Sequence, residues 1–121
     1  MMGEMRENII KTKSFSFAIQ IINLNKQLCT EQKEFILSKQ IIRSGTSIGA
    51  LIREAEHAES KADFIHKNAI AQKEANETIY WLELLVATNY ISKELFDELN
   101  FKAIELIKML TSIIKTAKGL N

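Results

Sequence analysis

Apolar residues recur at intervals of three and four along nearly the whole chain, a spacing that predicts amphipathic α-helices. Four helices are expected: roughly residues 7–28, residues 31–58, a third between Ser60 and Asn89, and a fourth between Ser92 and Gly119. Their predicted core faces are Ile10, Phe17, Ile21, Leu24 and Leu28; Leu37, Ile41, Gly45, Ile48, Ile52 and Ala55; Phe64, Asn68, Ala71, Ala75, Thr78, Leu82 and Leu85; and Leu95, Leu99, Ala103, Leu106, Leu110, Ile113 and Ala117.

Residues that favour helix ends separate these segments. Thr30 is the expected N-cap of the second helix, Ser60 and Asp63 form a variant capping box before the third, and Ser92 caps the fourth. Gly119 is placed to stop the fourth helix. Because short connections force neighbouring helices to run antiparallel, we expect an all-α, up-down-up-down four-helix bundle that forms a single domain over residues 1–121.

The second helix has two glycines in its interior, Gly45 and Gly49, although the apolar spacing on both sides is helical. Each glycine costs about 1 kcal/mol relative to alanine in a helix. Gly45 lies on the apolar face, where the lack of a side chain lets another backbone come close. We therefore expect tight packing at this point to offset the cost.

Three helices carry large apolar residues away from their core faces. A wide apolar stripe can contact two neighbouring helices within one bundle, which accounts for positions near the core face. At about 100° per residue, however, these positions lie nearly opposite the core face, beyond the reach of such a stripe. Large apolar patches usually mark contacts with a partner. Self-association is therefore predicted, with Trp81 as its anchor. The residues concerned are Phe15, Ile19 and Ile22; Ile70, Trp81 and Leu84, with Tyr80 beside them; and Phe101 and Ile104.

The composition adds few constraints on function. The chain has 121 residues, 46% of them hydrophobic, no proline, and a net charge of +1. A protein that mainly grips nucleic-acid phosphates usually has a clear basic excess. A single cysteine, the lack of a signal peptide and the lack of a membrane-spanning run favour the cytoplasm. The last helix is locally basic, and its candidate nucleic-acid contacts are Lys102, Lys108, Lys115 and Lys118.

No residue pattern indicates catalysis or a cofactor. Glu54 with His57, and Asp63 with His66, have the Glu-x-x-His type of spacing of di-iron bundles, but they point away from the core faces. The first helix also lacks the carboxylate that such a centre needs. Cys29 has no basic partner in sequence and is expected to be an inert thiol. We therefore expect no catalytic site, no metal, no cofactor and no small-molecule substrate.

Arg43 shares the outer face of the second helix with Ser47 and Glu54, and Glu74 and Glu77 lie on the outer side of the third. Two interpretations remain open. Arg43 could meet Glu77 or Glu74 across a contact between subunits, or these charges could be ordinary solvated side chains.

Several segments resemble the bacterial four-helix bundle family encoded by intervening sequences in large-subunit ribosomal RNA genes, the "S23 ribosomal protein" family. The resemblance covers nearly the whole chain, and its most specific part is Arg43-Ser-Gly-Thr-Ser-Ile-Gly-Ala50. The segments that carry it are Ser14–Ile19, Leu37–Ala50, Glu54-Ala55 and Ser60–Lys67. The residues that match the family motif directly are Arg43, Ser44, Thr46, Ser47 and Glu54.

The resemblance implies a bundle that assembles as a ring-like homopentamer without enzymatic activity. A related branch, the accessory protein of diversity-generating retroelements, is a basic pentamer that binds nucleic acid and a reverse transcriptase. Association with ribosomal RNA is therefore the alternative function. The chain departs from the family at Leu51, where asparagine is usual, and its near-neutral charge differs from the basic retroelement branch.

Overall fold

The computed structural model describes residues 2–120. These residues form four helices: α1 (Met2–Thr30), α2 (Leu37–Glu56), α3 (Lys61–Ala87) and α4 (Lys93–Lys118). Each helix packs against the next along the chain, and α4 returns to pack against α1. The helices therefore stand at the corners of a four-sided bundle, with α2 diagonally across from α4. The predicted all-α, antiparallel four-helix bundle is confirmed.

One buried cluster fills the centre of the bundle. The predicted core faces supply it, since Ile10, Phe17, Ile41, Leu82 and Leu106 are each at most 1% exposed. Polar groups in the core are paired: the buried hydroxyls of Thr78 and Ser44 are hydrogen-bonded to each other at 2.9 Å. This bond joins α3 to α2. No helix within residues 2–120 combines the length and apolar character needed to cross a lipid bilayer.

The connection between α1 and α2 differs from the prediction. Thr30 belongs to the last turn of α1, where its hydroxyl donates to the Lys26 carbonyl at 2.7 Å. Residues 31–36 form a turn, in which Lys33 has a φ of 54°. Helix α2 begins only at Leu37. The predicted start near residue 31 and the Thr30 cap were therefore wrong, because the apolar spacing continues into the turn although the backbone does not.

Glu34 caps α2 in place of Thr30. Its carboxylate is buried and accepts hydrogen bonds from the backbone N–H groups of Ile36 at 3.2 Å, Leu37 at 3.0 Å and Ser38 at 2.7 Å. These are donors that the first turn of a helix otherwise leaves without partners. The negative charge also lies at the positive end of the helix dipole, which stabilises the helix start.

The predicted ends at Ser60, Ser92 and Gly119 are confirmed, whereas α1 begins at Met2, five residues before its predicted start. Ser60 Oγ accepts from the Asp63 N–H at 3.0 Å, and Asp63 reaches back to the Glu59 N–H at 3.2 Å. At the start of α4, Ser92 Oγ accepts from the Leu95 N–H at 3.1 Å. Gly119 ends α4 in the left-handed region at φ 73°, which glycine adopts without steric cost.

Gly45 packs directly against α1. A Cβ atom at this position would be 2.8 Å from both Cγ atoms of Ile21, which is itself fully buried. At Gly49, a Cβ would be 3.3 Å from Ser14 Oγ. The contact predicted for Gly45 is therefore confirmed, and it brings α2 close against α1.

Candidate self-association surface

An apolar surface covers the groove between α1 and α2 on the outside of the bundle. Phe15, Ile19 and Ile22 step by four and three along α1 and are 55%, 45% and 36% exposed. On α2, Ile42, Thr46, Gly49 and Arg53 step by four, three and four, which places them on one side of that helix. We call Phe15, Ile19, Ile22, Ile42, Thr46 and Arg53 the α1–α2 surface.

Arg53 links the α2 part of this surface to the α1 part. Its guanidinium carbon lies 5.4 Å from the centre of the Phe15 ring, which is the geometry of a cation–π contact. No ion pair of Arg53 is seen within the described residues. The α1–α2 surface is therefore apolar with one positive charge at its end. Sequence reasoning found its α1 residues but missed its α2 residues, although the spacing from Ile42 to Arg53 could have indicated them.

The groove on the other side of α1 has a different character, because polar contacts close it. A cavity of about 190 Å³ lies in this groove and is lined mainly by charged and polar side chains. This side of α1 therefore makes several polar contacts with α4 within one chain, although the buried Nε of Arg6 has no hydrogen-bond partner among the described residues. The contacts are Lys13 to Glu105 at 3.3 Å, Gln20 to Glu98 at 2.8 Å, Lys102 to Gln20 at 2.9 Å, and Arg6 to Ser112 at 2.8 Å.

Arg43 connects α2 to α3 within one chain. One guanidinium nitrogen lies 3.0 Å and 3.2 Å from the two carboxylate oxygens of Glu74, and the other nitrogen donates to Glu77. The contacts within one chain fit neither of the two interpretations given above, which were a contact across subunits and ordinary solvated side chains. Both acidic partners of Arg43 come from its own neighbouring helix.

Trp81 joins this network from the next turn of α3. Its indole N–H donates to Glu77 Oε2 at 3.0 Å, and its ring contacts Tyr80 with the ring centres 5.1 Å apart. The hydrogen bond from Trp81 lowers the pKa of Glu77 below its ordinary value, and the contact with Arg43 lowers it further by a smaller amount. Conversely, the two carboxylates raise the pKa of Arg43, with Glu74 contributing most.

The network is part of a second surface, the α2–α3 surface, which consists of Arg43, Ser47, Ile70, Glu77, Trp81 and Leu84. On α3, Ile70, Glu77, Trp81 and Leu84 share one side together with Glu74. Ile70, Trp81 and Leu84 are partly buried, and Trp81 packs against the core of its own chain. Trp81 therefore has a structural role within one chain as well as the predicted position at the surface.

The other residues of the family motif support the helix or the core. The hydroxyls of Thr46 and Ser47 donate to carbonyls four residues earlier in α2, each at 2.6 Å. Ser44 is buried against Thr78, and Glu54 pairs with Lys67 of α3 at 3.3 Å. Leu51, where the resemblance led us to expect asparagine, is partly buried and packs against the core.

The four candidate lysines of α4 differ in exposure and in their contacts. Lys102 is partly buried and donates to Gln20, so it belongs to the groove between α1 and α4. Lys108, Lys115 and Lys118 are exposed, and their side chains make no ion pair with a described residue. Of the four predicted nucleic-acid contacts, three are therefore available to a partner.

The described part of the chain contains no group of three or more His, Cys, Asp or Glu side chains that could hold a metal ion. Glu54, His57 and Asp63 line an open cleft of about 640 Å³ at the α2–α3 turn, together with Arg53, Glu59 and Lys67. This cleft mixes both signs of charge and is not enclosed. Cys29 is a free thiol whose sulfur lies 3.5 Å from Ser38 Oγ.

Fold and surface together define an antiparallel helical bundle with exposed apolar faces and no sign of a catalytic centre among the described residues. The model of the 23S rRNA-intervening sequence protein family matches residues 6–112. The chain therefore belongs to this family.

A solved structure agrees with this assignment. The chain resembles a protein of unknown function from the S23 ribosomal protein family of Bacteroides thetaiotaomicron, with 60% identity and a TM-score of 0.90. The match covers 91% of this chain and 98% of that one. A search of curated protein sequences finds no significant match.

Proposed function

We propose that the protein is a non-enzymatic module that assembles with copies of itself, with the α1–α2 surface of one copy against the α2–α3 surface of the next. The observation that carries this proposal is the exposed apolar stripe of Phe15, Ile19 and Ile22 beside the apolar side of α2. Water-exposed patches of this kind usually mark association surfaces. The family resemblance favours a ring of five copies.

The charges of the two surfaces support their pairing. The α1–α2 surface carries Arg53, whose charge has no carboxylate partner among the described residues. The side of α3 that bears the α2–α3 surface presents Glu74 and Glu77 beside Arg43 and the exposed Lys73, so its charges balance. In the proposed assembly, the carboxylates on this side are the partners of Arg53 from the next copy. Two different surfaces on one copy give a head-to-tail contact, and such contacts close into rings when the rotation between copies allows it.

Ile19→Glu tests this assembly, because it places a charge at the centre of the apolar stripe. The molecular mass in solution, measured by light scattering, should fall from that of an oligomer to a smaller species while the helical circular dichroism stays unchanged. Gln27→Glu is the matched control, since it adds the same charge to an exposed position on another side of α1. An unchanged mass for Ile19→Glu would contradict the proposal.

A second candidate function is association with ribosomal RNA. The exposed Lys108, Lys115 and Lys118 and the family description favour it. True phosphate contacts make affinity fall steeply as salt rises. Binding to ribosomal RNA fragments, measured across salt concentrations, should therefore weaken strongly and should weaken further in a Lys108→Ala, Lys115→Ala, Lys118→Ala variant. Affinity that is absent or insensitive to salt removes this candidate.

The free thiol of Cys29 supports a reducing compartment, and we propose the cytoplasm as the location.

A further inference from the structure

Helix α4 carries a strip on its outer side that the bundle does not use. Asp97, Phe101, Ile104 and Lys108 step by four, three and four, so they share one face of the helix. All four are exposed, with Phe101 69% and Ile104 38% open to solvent. We call these four residues the α4 strip. It lies away from the core face that contains Leu99 and Leu106, so packing within one chain does not account for it.

The order of residues in the α4 strip is self-complementary. An acid, two apolar residues and a base are placed symmetrically about the midpoint between Lys102 and Ala103. When a second copy of α4 runs antiparallel about that midpoint, Phe101 lies opposite Ile104 of the second copy. Lys108 then lies opposite Asp97 of the second copy, and the reverse pair forms by symmetry. Asp97 and Lys108 are about 16 Å apart along the helix, and their spacing is the same in both copies.

We propose that the α4 strip is a two-fold contact between two copies of this chain, with apolar pairs at its centre and an Asp97–Lys108 ion pair at each end. Self-complementary patches on one surface are what a two-fold contact requires. The contact is distinct from the proposed ring, because α2 lies between the two ring surfaces and α4 is diagonally across from α2. Assembly through α2 therefore leaves the α4 strip free.

The charges on the strip favour a second copy over a nucleic acid. A phosphate backbone would be repelled by Asp97 and would leave Ile104 without an apolar contact. Lys108 makes no ion pair with a described residue, so its charge is available. Asp97 is bonded to Lys93 at 2.8 Å, but their side chains are 55% and 74% exposed. Such a surface pair contributes about 0–1 kcal/mol, so Asp97 can accept a second partner.

The expected contact is weak, because one pair of helices covers less area than the roughly 800 Å² per partner of a standard interface. It should therefore appear as a species that doubles in mass as the protein concentration rises. Sedimentation velocity over a concentration series measures this. The Ile19→Glu variant is the best starting protein, since it removes the α1–α2 surface and isolates the α4 strip.

A charge-reversal cycle in the Ile19→Glu protein tests the pairing. Lys108→Glu places two acids opposite each other, and Asp97→Lys places two bases opposite each other, so each reversal alone should abolish the doubled species. The double reversal should restore it. An equimolar mixture of the two single-reversal proteins should also restore it, because acid and base then face each other between unlike copies. Lys115→Glu is the control, since the position opposite residue 115 lies beyond the start of the partner's α4.

Doubling that persists in either single reversal, or that fails to return in both the double reversal and the mixture, would overturn the α4 contact. So would an Ile19→Glu protein that stays at single-copy mass at every concentration. Failure of the ring proposal gives a different result, namely an Ile19→Glu protein with the same mass as the original. In that case, the same cycle in the original chain still shows whether the doubling depends on the charges of α4.

Discussion

The guanidinium of Arg43 organises the surface between α2 and α3. It binds two carboxylates of α3, one of which also accepts the Trp81 N–H. A planar guanidinium can serve two carboxylates at once, which the single ammonium of lysine does less well. The network sets the position of the Trp81 ring. Arg43, which stands out in the sequence motif, therefore binds side chains of its own chain.

The Glu77 carboxylate provides a test of this network. Trp81→Phe keeps a ring but removes the N–H donor, which is the main cause of the lowered pKa of Glu77. The pKa of Glu77, followed by carboxyl NMR, should therefore rise towards its ordinary value. A lowered pKa in the folded chain stabilises it above the ordinary glutamate pKa of about 4.3, and this contribution is lost as the pH falls through the folded value. The variant should lose less stability on acidification.

Tyr80→Phe is the control, because Tyr80 contacts the Trp81 ring without a hydrogen bond to Glu77 among the described contacts. A Glu77 pKa that is the same in Trp81→Phe and in the original chain would show that the indole N–H does not stabilise the carboxylate.

Gly45 gives a second residue-scale prediction. Gly45→Leu should lower the free energy of unfolding by about 1–3 kcal/mol, because the new side chain must displace the buried Ile21. Denaturant unfolding measures the change. In the Ile21→Ala background the same substitution should cost much less, since the two positions share one space. Equal costs in both backgrounds would show that Ile21 is not the obstacle.

The ends of the helices are held by different devices. Helix α3 ends in a Schellman motif, in which the Tyr90 N–H bonds to the Leu85 carbonyl at 2.9 Å and Asn89 takes the left-handed conformation at φ 68°. Helix α2 begins at the buried Glu34 carboxylate, which is two residues outside the helical N-cap position. An ordinary cap comes from the N-cap residue itself, so this start depends on the conformation of the whole turn.

Removing the Glu34 cap should therefore weaken α2 at its first turn. Glu34→Ala is expected to cost about 1–2 kcal/mol in the free energy of unfolding, the upper part of the range for lost caps, because three N–H groups lose their acceptor. Amide hydrogen exchange at Leu37 and Ser38 should become faster. Glu31→Ala removes an exposed acid from the same turn and should have little effect. Equal stability of the two variants would contradict the role of Glu34.

The four core faces could be predicted because each repeats at the helical period over many turns. The Glu34 cap could not, because it depends on a turn that brings a carboxylate forward onto three amides. The α2 half of the α1–α2 surface was also missed. Thr46 and Gly49 are small residues that are not prominent by hydropathy, so the apolar pattern alone did not draw attention to this side of α2, although the spacing from Ile42 to Arg53 could have indicated it. The pairing of Arg43 with Glu74 and Glu77 inside one chain was not among the two interpretations of these charges, since spacing along α2 does not reveal how α3 is rotated.

Three outward faces of the bundle differ in character: the groove between α1 and α4, the α1–α2 surface and the α2–α3 surface. Polar contacts close the groove between α1 and α4, while the α1–α2 and α2–α3 surfaces lie on either side of α2. If copies associate through these two surfaces, folding and association are coupled. The stability of each chain then depends on how many other chains are present.

Thermal unfolding over a range of protein concentrations tests this coupling. For the original chain, Tm should rise by roughly 3–5 °C for each tenfold increase in concentration, because mass action adds about 1 kcal/mol per chain. The Ile19→Glu variant should show a much smaller dependence. A Tm of the original chain that does not change with concentration would indicate that the folded unit is a single copy.

The two ends of the bundle should respond differently to insertion of a peptide tag. At one end, Gln32 donates to the Tyr90 carbonyl at 2.7 Å, and Glu34 binds the start of α2, so extra residues there would break both links. At the other end, the segment from His57 to Ser60 is short and mostly exposed. A fluorescent label or epitope inserted after Ala58 should therefore leave the core intact, which makes that turn the place to attach a probe.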